Sequence, residues 1–140
     1  MRVILDTNVL MSAVFFGGIP GRLLSAWVAK RFTLVLSPDI FDEYRRVGRE
    51  LTRRYPRLEG SFEPVLALIS TNAIIVDVQP LERQVSEDAD DDMFLACAAA
   101  SRTGVIVSGD KHLLRVSGWR GIEVLTPRQF YERHLKKAGR

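Results

Sequence analysis

The chain has 140 residues, a formal charge of +3, 46% hydrophobic and 26% charged residues, and one cysteine. This length suits one compact domain with a real core, expected to span 1–140, and the composition excludes a disordered or fibrous chain. No apolar run nears the roughly 20 residues needed to cross a bilayer, Asp6 and Asn8 interrupt the N-terminal run too early for an export signal, and one cysteine excludes an intramolecular disulfide; a cytoplasmic address is expected.

Val3-Ile4-Leu5 is apolar and β-branched and reads as a buried strand ending at Asp6. Val9, Leu10, Ala13 and Val14 follow at helical spacing. Gly17, Gly18, Pro20 and Gly21 predict a loop, and Leu23, Leu24, Trp27 and Val28 mark a second amphipathic helix. Phe32–Leu36 is the next strand. Ser37-Pro38 then supplies an N-cap and a first helical residue, with Ile40, Phe41, Tyr44 and Val47 as that helix's buried stripe. Another helix lies around Val65, Leu66, Leu68 and Ile69, and Ala73–Val78 reads as a third strand.

Phe94–Ser101 predicts a helix ended by Gly104, and the small residues around Cys97 suit close packing, so the thiol reads as a buried hydrophobe. Val105–Ser108 is a fourth strand, with Leu113 and Leu114 in a short helix after Gly109-Asp110. Gly121–Leu125 is the last strand, and Thr126-Pro127-Arg128-Gln129 has the form of a capping box opening the final helix. Short apolar strands alternating with helices imply an α/β domain: three layers, α/β/α, around a central parallel sheet of about five strands. In such folds the ligand site lies beyond the carboxyl ends of the strands.

That edge is where Asp6, Glu43, Asp91 and Asp110 should meet, although more than a hundred residues separate the first from the last. Each has an ordinary alternative. Asp6 and Asp110 could be N-caps, Asp91 could complement a helix dipole, and Glu43 could be solvated. Five of the six residues from Glu87 to Asp92 are acidic, however, more than capping needs, and packed like charges call for a cation. With one cysteine and no histidine cluster, a soft zinc site is disfavoured. An oxygen-only set suits Mg²⁺ or Mn²⁺, which can support phosphodiester hydrolysis.

Basic residues concentrate elsewhere. Six arginines fall between Arg45 and Arg57 with Glu50 as the only acid, and Arg133, Lys136, Lys137 and Arg140 close the chain. Either cluster could face a polyanion or be a solvated surface.

Asp6-Thr7-Asn8 after an apolar strand, Ser37-Pro38 with Glu43 and Val47, Asp91 with Phe94, Leu95 and Ala98, and Val107-Ser108-Gly109-Asp110-Lys111 with Leu113-Leu114 together resemble the PIN-domain ribonucleases. The likeness is closest to the branch of toxins from toxin–antitoxin systems, akin to the virulence-associated VapC toxins. It implies a Mg²⁺- or Mn²⁺-dependent endonuclease of single-stranded RNA, with Asp6, Glu43, Asp91 and Asp110 as catalytic metal ligands and Thr7, Asn8 and Ser108 as supporting polar residues. It also implies a homodimer blocked by a small antitoxin. Arg45, Arg49, Arg53 and Arg54 are the expected RNA contacts. Asp88, Asp90 and Asp92 are rivals to Asp91, which is favoured because Phe94 and Ala98 then fall where the family has apolar and small residues; His112 stands where relatives often carry another acid.

A dehalogenase-type phosphatase would need an acid at Asn8, and a P-loop would need Gly-Lys-Ser/Thr after the glycines. The alternative of another class is an inactive PIN-like fold that binds RNA or protein, which metal-dependent cleavage would separate from the enzyme.

Overall fold

The computed structural model describes residues 1–136; Lys137 and Arg140 of the terminal basic cluster lie outside the described residues. Five short strands, β1 (Arg2–Leu5), β2 (Thr33–Leu36), β3 (Ile74–Ile75), β4 (Val105–Val107) and β5 (Glu123–Leu125), form one parallel sheet. Their order is β3-β2-β1-β4-β5. The connections that step outward from β1 to β2 and β3 run opposite to the step from β4 to β5. Right-handed crossovers therefore place the two sets of helices on opposite faces.

Burial agrees with three layers. Val3, Ile4 and Leu5 are consecutive and at most 1% exposed, which requires cover on both faces because neighbouring strand residues point oppositely. The same holds for Leu34, Val35 and Leu36 in β2. The covering helices are α1 (Thr7–Phe15), α2 (Gly18–Val28), α3 (Pro38–Arg54), α4 (Glu63–Asn72), α5 (Asp92–Ser101), α6 (Lys111–Arg115) and α7 (Pro127–Phe130), the last running on into a π-helical turn, Tyr131–Leu135.

The local signals at two helix starts act as expected. The Ser37 hydroxyl accepts the Ile40 N–H at 3.2 Å. Thr126 and Gln129 form a reciprocal capping box. Three expectations need correction. Only Phe16 and Gly17 separate α1 from α2, which begins at Gly18, so Pro20 and Gly21 are helical rather than in a loop; proline is tolerated there because the first turn's N–H groups have no helical acceptor. The third strand is two residues rather than six, with Ile74 and Ile75 exposed at the sheet edge. Arg102, not Gly104, closes α5 in a left-handed conformation, φ 55°. No single helix among the described residues is long and apolar enough to cross a membrane.

Gly48 lies in the middle of α3 beneath the fully buried Phe62 ring, and a Cβ there would overlap that ring. Alanine favours a helix by about 1 kcal/mol over glycine, but overpacking a core costs about 1–3 kcal/mol. Gly48→Ala should therefore lower the melting temperature by up to about 8 °C. A higher melting temperature would show that helix propensity outweighs this contact.

Candidate active site

The strand order reverses at β1 and β4. These two strands pair with Leu5 opposite Val107. The ladder continues one residue further, through the Asp6 N–H to the Val107 carbonyl at 2.9 Å. Asp6 thus leaves β1 beside the point where the chain leaves β4 towards Asp110, at the crevice where open α/β sheets place ligands.

Ser108 joins the two acids. Its hydroxyl is fully buried, donates to Asp6 Oδ2 at 2.5 Å and accepts the Asp110 N–H at 2.9 Å. Asp110 in turn accepts the His112 N–H at 2.7 Å and caps α6. Capping is therefore a real task of Asp110. Asp6 occupies the cap position of α1 but makes no side-chain cap bond, so capping does not account for burying it to 6% exposure.

Glu43 arrives from α3. The buried Tyr44 hydroxyl donates to the Leu5 carbonyl at 2.5 Å and fastens α3 to the end of β1. The Thr7 hydroxyl donates to Glu43 Oε2. Tyr44 read in the sequence only as part of an apolar stripe. Its hydroxyl role depends on a carbonyl 39 residues away, and no local pattern carries that.

The acidic run separates by direction. Asp88, Asp90 and Asp91 line the same cavity, of about 200 Å³, as Asp6, Thr7, Asn8, Glu43 and Asp110. Asp92 turns away and accepts the N–H groups of Val85 and Ser86, both at 2.8 Å, which fixes the incoming loop. Glu87 lies 3.0 Å from His112 Nδ1 and 3.5 Å from Arg115. Asp91 is buried and accepts from the Ser86 hydroxyl at 3.1 Å. Asp88, Asp91 and Asp110 can each offer an oxygen such that the three lie within 4.8 Å of one another. Asp88 is therefore a companion of Asp91 rather than only its rival. Asp6 and Glu43 line the cavity outside this closest trio.

Hydroxyls of Ser108, Thr7 and Ser86 hold Asp6, Glu43 and Asp91, orienting these carboxylates without themselves supplying charge. Burial pushes the Asp6 carboxyl above its usual range; the Ser108 hydroxyl bond and the nearby Asn8 backbone N–H oppose this, while the charges of Asp110 and Glu43 add to it. Asp91 is pushed up to about 6, first by burial and then by Asp110, with Asp88 and Asp6 adding to the effect. Buried acids of one sign, offering oxygen donors only, fit a hard divalent cation of the Mg²⁺ or Mn²⁺ class.

The arginines are less free than their sequence suggests. Arg45 pairs with Asp42 and Arg49 with Glu63, at 2.6 and 2.9 Å, and Arg53 pairs with Glu50. Arg45, Arg49 and Arg53 line an open groove with Arg46; Arg54 is exposed and does not line it. Arg133 pairs with Glu123 at 2.7 Å. Cys97 is buried in α5, and burial pushes its thiol up to about 12, in keeping with a packing role.

The family model described as the PIN domain matches residues 2–112, a stretch that begins with β1 and includes every cavity acid. No curated protein matches the chain.

Because Asp91 titrates higher in the folded chain than the ordinary 3.8, the folded state holds the proton more tightly, and ionising Asp91 opposes folding as pH rises from about 4 through 6. Asp91→Asn retains an acceptor for Ser86. In chelator it should melt above the wild type at pH 7.5 and close to it at pH 4.5. A variant less stable than wild type at both pH values would show that the charge supports the fold.

Proposed function

This chain belongs to the PIN-domain family, and on that premise we propose that it is a Mg²⁺- or Mn²⁺-dependent endoribonuclease that hydrolyses single-stranded RNA, acting as the toxin of a toxin–antitoxin pair. The observation that carries the catalytic part is the convergence of Asp6, Glu43, Asp88, Asp91 and Asp110 on one cavity at the strand-order reversal. The family is a nuclease fold, and the cluster can hold a divalent ion.

Asp88, Asp91 and Asp110 would hold the ion, and Asp6 and Glu43 line the same cavity. The bound ion supplies the positive charge that favours attack of water on a phosphodiester and offsets charge on the leaving oxygen. Ser108 fixes the Asp6 carboxylate, Thr7 fixes Glu43 and Ser86 fixes Asp91. This preorganisation matters because a carboxylate that must reorient during the reaction loses much of its electrostatic effect. Asn8 is exposed at the mouth and is positioned to meet substrate.

The toxin role, the small antitoxin and the homodimer rest on the motif resemblance; a cytoplasmic address is proposed beside them. They make a specific expectation together: expression of the wild type should arrest growth, and a neighbouring short reading frame should encode a protein that binds it and relieves the arrest.

Purified protein should cut single-stranded RNA with Mn²⁺ or Mg²⁺ and fall silent in chelator. Asp6→Asn should reduce cleavage by about 100-fold or more, the scale of losing one preorganised electrostatic group, without lowering the melting temperature. Cleavage that survives exhaustive chelation, or an Asp6→Asn protein that cuts at the wild-type rate, would overturn the assignment.

A further inference from the structure

We propose that Arg46 is the substrate-positioning cation of this site, drawing a phosphodiester from the arginine-lined groove on α3 into the carboxylate cavity. The inference rests on the nuclease reading above and adds a residue to it. A phosphate approaching Asp6, Glu43, Asp88, Asp91 and Asp110 meets charges of its own sign, so entry needs a cation at the mouth. Arg46 follows Glu43 by three residues, which places both on one side of α3. Its guanidinium lies 3.5 Å from Glu43 Oε1, and its side chain is 72% exposed while that of Glu43 is 21% exposed.

The other paired arginines of α3 differ in their partners. Arg45, Arg49 and Arg53 pair with Asp42, Glu63 and Glu50, none of which lines the carboxylate cavity. Arg46 pairs with a cavity acid and also lines the groove, about 490 Å³ in volume, that it shares with those three arginines. It is thus the link between groove and cavity. Seven residues of helix carry the ridge from Arg46 to Arg53, about 10 Å, enough to follow more than one phosphate.

A pair this long, with its arginine largely in solvent, contributes little to stability. Arg46 can therefore exchange Glu43 for a phosphate at small cost, and once Glu43 faces a bound cation its hold on Arg46 weakens further. The planar guanidinium can then donate two parallel hydrogen bonds to phosphate oxygens.

The test is binding of a labelled single-stranded RNA by anisotropy, across a salt series, in chelator and in an Asp6→Asn background that suppresses cleavage. Adding Arg46→Ala should weaken binding and flatten the log–log salt dependence by about 0.7, the value of one phosphate contact on a single strand. In the cleaving protein, Arg46→Ala should lower kcat/KM by about 10–100-fold, the scale of one charged hydrogen bond. Arg46→Lys should recover part of that loss, and melting should not change. Unaltered RNA affinity, salt slope and cleavage in Arg46→Ala would overturn the inference and leave the nuclease reading intact. Unaltered RNA affinity with tighter Mn²⁺ binding would also overturn it, showing Arg46 to be only a counter-ion of Glu43. A wild type that neither binds nor cuts RNA would overturn both readings.

Discussion

The structure depends on holding several carboxylates of one sign in a partly buried cavity. Asp6 and Asp91 are each 6% exposed, and each accepts a hydrogen bond from a hydroxyl, Ser108 for Asp6 and Ser86 for Asp91. A hydroxyl satisfies an oxygen's hydrogen-bonding need but supplies no compensating charge. Desolvating an anion without a cation is costly, and the usual response is a raised pKa. Both acids are displaced that way. A metal-free chain therefore carries a standing electrostatic penalty, and a divalent ion that binds only the folded state would relieve it.

The remainder of the fold keeps this arrangement in place. The central strands are buried on both faces, so the ends of β1 and β4 cannot drift apart without exposing apolar surface. Ser108 couples Asp6 to the backbone of Asp110, Tyr44 fixes α3 to Leu5, and Asp92 holds the loop at Val85 and Ser86. Each tie lies next to an acid but outside the repelling set. The small, buried Ala96, Cys97 and Ala98 let α5 pack closely as it carries Asp91 to the site.

Much of this was legible in the chain. Strand alternation with helices gave the parallel sheet, and the carboxyl-end rule placed Asp6 and Asp110 together, because both features follow from local apolar runs and a general handedness. Ser37-Pro38 and Thr126-Pro127 marked helix starts because capping is decided within four residues. What failed was decided by distant neighbours. Ala73–Val78 has the composition of a buried strand, but only Ile74 and Ile75 pair with β2, at the edge. The acidic run could not be sorted by spacing, since Asp92 is recruited by backbone N–H groups and Glu87 by α6. The arginine cluster appeared unbalanced because all of its partners but Glu50 lie outside the window, Asp42 and Glu43 just before it and Glu63 in α4.

The central claim is that the buried acids are short of a cation, and calorimetric titration of Mn²⁺ into the protein tests it most directly. Titrations at about pH 6 and pH 8, in buffers of different ionisation enthalpy, count the protons displaced. Saturable binding should occur at both, releasing roughly half a proton from Asp91 at the lower pH and almost none at the higher, because ligation requires the deprotonated carboxylate. Asp91→Asn should weaken binding and abolish that release. Absence of saturable binding, or an Asp91→Asn titration identical to the wild type, would contradict the account.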